Sequence, residues 1–545
     1  VFSWSYQQLP AGAIRAFRRL GVHPGPDIDP YAAAALLGTP LVTAGRLLDV
    51  LTRAHFLYRT DAAGCDGPRA CGARTEADGP AARTGTGGPG ASGARSGGEC
   101  QARYGMHDVL RGYAAELANP QDTEAERRSA LARLSDHYLA AAAAAVDAVL
   151  PAEQHRRPRV APPASPIPPL DGAGAGRAWL DAERANLRAV AADAGLHGRP
   201  ASTVRLAAVL FRYLDAGGYH DDAVTLHGLA RDAAERLGDP VAEAHALNNL
   251  GTACWRQGGH RRAEEHYLQA LALFRAQGDR YGEARTLGNL AALFWRQGGH
   301  RRAEEHYLRA LELFRGLGDR YGEARTLGNL GTVLWRHGGL RRAEEHYLQA
   351  LALYRDLGDR HGEADALTNL GAIYWRQHRY RRAEQHHQQA LRLFRELGDR
   401  ATEAGSLTNL GLVYRRQGRF QQAEDHHQQA VRRYRELGDR AGEADALNGL
   451  AEAAQAAGRP ALALARHHGA LRVANGTGNR YEQARAHVGL GRAHHATGDL
   501  DQARVHWQRA LALFGELRVP DAEDVRAQLA ALDRSTARPL PTSRR

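Results

Sequence analysis

The sequence predicts a mainly α-helical chain, with a small helix-and-hairpin domain at its front and a solenoid of about eight helical pairs behind it. Three observations predict this. A Gly-Asp pair recurs at Gly238, Gly278, Gly318, Gly358, Gly398 and Gly438, and returns as Gly478-Asn479, a constant spacing of 40 residues. Each interval holds two apolar stripes of helical period. Ahead of the repeats, short apolar stretches divided by Pro and Gly surround a β-prone pair at 55–59 and 103–105.

In chain order, WSYQQLPAGAIRAFRRLGVHPGPDIDPYAAAALLG (4–38) reads as two short helices, with Asp29 as a cap and Pro30 at the first helical position. Thr39-Pro40 repeats that device before a third helix, whose apolar stripe is Leu47, Leu48 and Leu51. His55–Arg59 reads as a strand. Residues 61–101 are Gly, Ala, Arg and Ser with almost no large apolar side chains, a composition expected to stay disordered. Arg103-Tyr104-Gly105 returns as a second strand. Three helices and a hairpin make a winged helix, placed at 1–118. Met106-His107-Asp108 then opens the helix VLRGYAAELA.

The stretches FSWSY, AFRRLGVHPGPDI, AAALLG, LLDVLTRAHFLYR and YGMHDVLRGYA resemble the winged-helix portion of NB-ARC modules in nucleotide-switched STAND regulators, the AfsR-like group of actinomycetes in particular. The resemblance covers about Val1 to Gly195. It implies an upstream DNA-binding effector domain and nucleotide-binding module. The chain opens Val1-Phe2-Ser3-Trp4 and its one Met, Met106, is internal, so a preceding segment is expected. The resemblance also implies that His107 senses the β-phosphate of bound ADP, a role suited to an imidazole N–H donor. Asp108 is placed to cap the following helix. The residues by themselves equally allow His107 merely to cap or pack. No P-loop is present, and none is possible without Lys: all 72 basic residues are Arg. The fragment is therefore expected to hold no cofactor alone and to be no enzyme, with ADP or ATP bound only in the intact protein. The third helix carries just Arg46 and Arg53, so DNA is expected to be reached only through the missing effector domain.

Residues 119–200 read as the spacer helices LSDHYLAAAAAAV and RAWLDAERANLRAVAADAG around a Pro-rich linker at 155–176. The repeat array follows at 201–518, then a capping helix at 519–533 and a tail at 534–545 expected to be disordered. In one repeat, Leu327, Leu330, Gly331 and Leu334 mark the buried stripe of a helix at about 323–336, which Gly338-Gly339 breaks. A second helix runs over about 341–357, with Ala343, Tyr347, Ala350 and Leu351 inward and Gly358 as its C-cap. This pattern resembles the tetratricopeptide repeat, a helix pair of about 34 residues, with Ala343, Tyr347 and Ala350 in the family's second-helix positions. The 40-residue period departs from it. The resemblance covers about Ala201 to Leu517.

Asn329, Thr332 and Arg336 fall at i, i+3 and i+7, opposite the Leu stripe. Repetition turns them into ladders: Asn249, Asn289, Asn329, Asn369 and Asn409, and Arg256, Arg296, Arg336, Arg376 and Arg416. Trp255, Trp295, Trp335 and Trp375 run beside them. This wall is expected to be the concave surface and to take a peptide or protein partner. Amides can pair with a peptide backbone, and guanidinium forks with carboxylates. The plainer alternative has Asn tying helices together, Arg solvated and Trp filling the space between repeats. His266, His306, His346, His386 and His426 sit a whole repeat apart, so they are expected to be surface residues rather than a metal ladder.

Composition narrows the function classes. The chain has 545 residues and a net charge of +11. Its four Cys (Cys65, Cys71, Cys100 and Cys254) lack CxxC spacing, which argues against a zinc site or a disulfide framework. No apolar run approaches the ~18 residues of a membrane span, and a cytoplasmic location is expected. The expected function is the sensor, autoinhibitory and protein-interaction half of a nucleotide-switched transcriptional regulator, which also contacts its own missing nucleotide-binding domain. The alternative is a stand-alone repeat scaffold.

Overall fold

The computed structural model describes residues 2–60, 102–151, 154 and 157–536. The disorder expected at 61–101, and in the tail from 537 onward, lies outside these residues, as do Cys65, Cys71 and Cys100. The chain divides into two compact units, Val1–Asn289 and Leu290–Arg545. Among the described residues, no single helix is long and apolar enough to cross a membrane.

The first unit opens with α1 (Phe2–Gln7), α2 (Ala11–Gly21), β1 (Asp27–Ile28), α3 (Pro30–Leu37), α4 (Leu41–Arg53), β2 (Tyr58–Thr60) and β3 (Arg103–Gly105). The strands form an antiparallel sheet in the order β1-β3-β2. Asp29 caps α3 as its sequence predicts, accepting from the Ala32 N–H at 2.7 Å. Thr39 does not repeat the device: Pro40 holds the cap position of α4 and the Thr39 hydroxyl is buried without a partner. The strand expected at His55–Arg59 starts three residues later. His55 turns left-handed (φ 60°) to end α4, which sends Phe56 and Leu57 into the core. The third strand, β1, was not anticipated, being only two residues long.

Next come α5 (Asp108–Gln121), α6 (Glu124–Val149) and α7 (Gly172–Leu196). α5 lies close on α2, because a Cβ on Gly21 would sit 2.4 Å from that of Ala114. Thr123 and Glu126 form a reciprocal capping box at the head of α6. α7 begins inside the segment expected to be linker, so the stretch without regular structure ends at Asp171.

From there the helices pair by repeat. The first unit holds α8 (Pro200–Gly217) with α9 (His220–Leu237), α10 (Pro240–Arg256) with α11 (His260–Gln277), and most of α12 (Arg280–Arg296). The second holds α13 (His300–Leu317), α14 (Arg320–Arg336), α15 (Leu340–Leu357), α16 (Arg360–Arg376), α17 (Tyr380–Leu397), α18 (Arg400–Arg416) and α19 (Phe420–Leu437). It continues with α20 (Arg440–Ala456), α21 (Pro460–Thr477), α22 (Arg480–Ala496) and α23 (Leu500–Leu517), then a last helix, α24 (Asp521–Thr536). α24 runs past the expected end of the capping helix at 533. Its apolar residues Val525 and Leu532 pack with Trp507 and Phe514.

The Gly-Asp pair is the joint between repeats. Gly358 ends α15 in the left-handed region (φ 68°), where a glycine carries no Cβ penalty, and its N–H closes the last turn. Asp359 then caps α16, accepting from the Gly362 N–H at 3.0 Å. An ion pair spans the joint: Arg315–Glu323, Arg355–Glu363 and Arg395–Glu403 at 2.7, 2.7 and 2.9 Å. Within a repeat, glycine on the first helix makes room for a ring on the second. A Cβ on Gly331 would lie 2.9 Å from the buried Tyr347 ring.

Candidate partner-binding face

The two units treat the Asn ladder differently. In Val1–Asn289, Asn249 is buried and its Oδ1 accepts from Arg285 at 3.2 Å. Asn289 donates to Asn248 Oδ1 at 3.0 Å, and the Thr286 hydroxyl donates to the same oxygen at 3.1 Å. These two amides tie α10 to α12. Asn248 is what holds Asn289: in the next four repeats the equivalent positions are Gly288, Gly328, Thr368 and Thr408, the two Thr hydroxyls turning back to carbonyls of their own helices. In Leu290–Arg545, Asn329 is exposed and Asn369 and Asn409 are half-buried; none has a hydrogen-bond partner among the described residues. Their helices, α14, α16 and α18, are successive neighbours.

The Arg ladder divides at the same point. Arg256 pairs with Asp215 at 3.0 Å. Arg296, Arg336, Arg376 and Arg416 are exposed and have no ion pair among the described residues. Arg416 lies over the Trp375 ring, 5.8 Å from its centroid. Trp335 and Trp375 are half-buried beside them. Thr332 belongs less to this face than its spacing suggests, since its hydroxyl is turned to the Tyr347 hydroxyl at 2.8 Å. The result in the second unit is a row of free amides and free guanidinium groups on one face of successive helices. Such a row can hydrogen-bond an extended backbone and pair with carboxylates.

The row has a built end. Gly449 and Gly489 stand where Asn would continue, Ala456 and Ala496 where Arg would, and Arg415 where Trp would. In their place is a network that sequence reading missed. Glu452 pairs with Arg485 at 2.7 Å and with Arg415 at 3.2 Å; Arg485 also reaches Asp445, and Asn448 donates to Glu482 at 2.8 Å. Burial works to raise the Glu452 pKa, but Arg485 and Arg415 outweigh it and hold the carboxyl well below its usual range. The network pairs its carboxylates with its own guanidinium groups.

The His series also differs from expectation. His306, His386 and His426 are half-buried rather than free on the surface, their rings against Phe294, Tyr374 and Tyr414 at 5.2, 4.9 and 4.9 Å. His266 and His346 are half-buried as well. The residue one place further on is more informative. His387, His427 and His467 fill the position of Tyr267, Tyr307 and Tyr347, and all three are buried. The signal was in the register, because His387, His427 and His467 continue at 40-residue spacing the series Tyr267, Tyr307 and Tyr347.

At the front of the chain, His107 is the N-cap residue of α5 and is exposed, its ring 4.7 Å from that of Tyr58. Its side chain makes no cap bond, and Asp108 sits one residue inside the helix rather than at the cap. The imidazole is thus exposed at the head of α5. Nothing within the described residues supplies the rest of a nucleotide site.

The repeats match the tetratricopeptide repeat family over residues 202–276, 282–356, 362–436 and 442–516, two helical pairs per match. A regulatory protein AfsR from Streptomyces griseus is 28% identical over 279 residues, which is 50% of this chain and 24% of that protein. The AfsR of Streptomyces coelicolor is 31% identical over 147 residues, 26% of this chain and 11% of that protein. The chain thus spans a quarter or less of the length of these relatives. In fold it is similar to a Signal Transduction ATPase with Numerous Domains (STAND) protein with a tetratricopeptide repeat sensor from Pyrococcus horikoshii. That likeness has a TM-score of 0.61 at 14% identity and covers 97% of this chain and 66% of the other.

Proposed function

The chain belongs to the tetratricopeptide repeat family, which matches more than half of its residues, and we propose that it is the sensor and protein-interaction half of a nucleotide-switched transcriptional regulator. The observation that carries the partner-binding part is the open row of the second unit: Asn329, Asn369, Asn409, Arg296, Arg336, Arg376 and Arg416, all without a hydrogen-bond or ion-pair partner among the described residues. An unpaired row of one sign selects an opposite partner by its field. The ligand is an extended acidic peptide segment, from another protein or from the regulator's own nucleotide-binding part. Likeness to AfsR supports the regulatory reading.

In the intact protein, ADP would supply the phosphate that His107 contacts, and this chain's contribution is one imidazole N–H donor held at the head of α5. DNA contact belongs to the effector domain and not to this chain.

An array of extended acidic peptides tests the face. Arg336→Ala with Arg376→Ala should weaken capture roughly tenfold or more, since charge-assisted bonds contribute about 1.5–3 kcal/mol each, and should lower the salt dependence of binding. Asn329→Ala with Asn369→Ala should weaken capture with little change in salt dependence. Equal binding by wild type and both variants would return the ladders to solvent. For the switch, His107→Ala in the intact protein should lose ADP faster and raise reporter output. Unchanged ADP retention and output would leave His107 a surface cap.

A further inference from the structure

The repeat at 360–397 departs from its neighbours at one place. Its inter-helix turn reads QHRYRR (377–382), where the three preceding repeats read QGGHRR, QGGHRR and HGGLRR. The following turn reads QGRFQQ. Only here does an Arg at the cap position, Arg379, meet the Arg pair of the helix start, Arg381 and Arg382. Arg419 arrives beside them from the next repeat. Together they line an open cleft of about 660 Å³, within the size range of small-molecule sites.

The four guanidinium groups are not equivalent. Arg419 is committed to Glu384, donating to both carboxylate oxygens at 2.8 and 2.9 Å, and lies over the Tyr414 ring. Arg379 reaches Glu344 at 3.5 Å and Gln377 at 3.1 Å, with its guanidinium over Tyr374. These two are held in place. Arg381 and Arg382 are exposed and have no acidic partner among the described residues, although Arg382 also faces the Tyr374 ring, 5.7 Å from its centroid. Glu384, the one carboxylate in the lining, is taken up by Arg419 and Gln417. α17 begins at this cleft with no acidic residue in its first turn and no side-chain cap, so its N-terminal dipole adds to the same sign of field. The turn itself is held open by His378, which is left-handed (φ 60°) where Gly258, Gly298, Gly338 and Gly418 do so freely. Its ring pairs with the Tyr380 hydroxyl at 2.8 Å.

We propose that this cleft binds the phosphate groups of a phosphorylated small molecule, with Arg381 and Arg382 as the ligating forks and Arg379 and Arg419 as pre-oriented supports. Guanidinium groups converging from two turns suit a compact, multiply charged oxyanion. A single peptide carboxylate would leave one of the two unpaired guanidinium groups, Arg381 or Arg382, unmatched. The site does not depend on the Asn and Arg row, which uses other residues on the first helices.

Calorimetric titration of the whole chain with inorganic pyrophosphate tests it. The wild type should bind one equivalent. Arg381→Ala with Arg382→Ala should weaken binding roughly tenfold or more, with unchanged helical content. The same pair one repeat earlier supplies the control: Arg341→Ala with Arg342→Ala faces Gly339 rather than an Arg and should leave binding intact. Arg336→Ala with Arg376→Ala should also leave it intact, which separates this cleft from the peptide face. Absence of binding by the wild type overturns the proposal, as does equal loss in the control. A glutamate peptide that binds through Arg381 and Arg382 while pyrophosphate does not compete would make this a carboxylate site and overturn it equally.

Discussion

The His427 ring fills a slot between two glycines: a Cβ on Gly411 would come within 2.5 Å of it and one on Gly449 within 2.3 Å. His387 and His467 each lie against one glycine, Gly371 and Gly489 respectively. Burial lowers their pKa values to about 4, 3 and 4 for His387, His427 and His467. Glu452 partly opposes the fall at His427 and His467, while Arg485 and the neighbouring His426 and His468 add to it. The sign follows. Above the unfolded value of about 6.5 all three are neutral in both states and their packing is fully available. As pH drops from there toward about 4, the unfolded chain takes up protons that the folded chain refuses, and stability is lost at up to about 1.4 kcal/mol per unit per ring. Urea unfolding followed from pH 8 to about pH 4 should show this slope, and His387→Tyr, which restores the residue of Tyr347, should reduce it. An unchanged slope would mean that the ring is already wet. Gly411→Ala should cost about 1–3 kcal/mol through overpacking at any pH, read as a drop in Tm.

At the scale of elements, the Gly-Asp joint does two jobs in two residues. Gly358→Ala forces a Cβ into the left-handed region and should cost about 1–2 kcal/mol; Asp359→Ala removes the cap of α16 and should cost about 1 kcal/mol. Chemical denaturation of each variant checks the pair, and additivity is expected only if the two helix ends act separately. These joints were legible in the sequence because caps and glycines act locally and repetition displayed them many times. The lock between the front domain and the spacer was not. Arg103 on β3 bridges Asp27 on β1 and Glu183 on α7, and Tyr138 on α6 donates to Glu183 at 3.2 Å. Those residues lie up to 159 positions apart when Asn186 and Asp27 are included, and no periodicity links them. Glu183 is fully buried, so Glu183→Ala should destabilise the first unit by about 3–5 kcal/mol, seen as an earlier melting step.

For the molecule as a whole, fold class and repeat number were readable because each repeat restates the same helical pattern. Which amides remain free was not readable: Asn249 and Asn289 occupy the same repeat position as Asn329, yet Arg285 ties up the first and Asn248 the second. The same uniformity of joints has a genetic consequence. Residues 280–319 and 320–359 begin with the identical stretch RYGEARTLGNL and end with the identical Gly-Asp. Such tandem copies invite unequal crossing-over, and because the joint recurs at a fixed spacing, a crossover removes or adds one whole repeat without breaking any cap. Excision of residues 320–359 fuses Asp319 to Arg360, the same junction that Asp359 makes now. That shortened chain should keep its helical content per residue by circular dichroism, whereas excision of residues 320–349 alone, which breaks the register and joins Asp319 to Ala350 inside α15, should melt earlier. Copy number, rather than point substitution, is then the cheapest way for this lineage to lengthen or shorten the row of amides and guanidinium groups it presents.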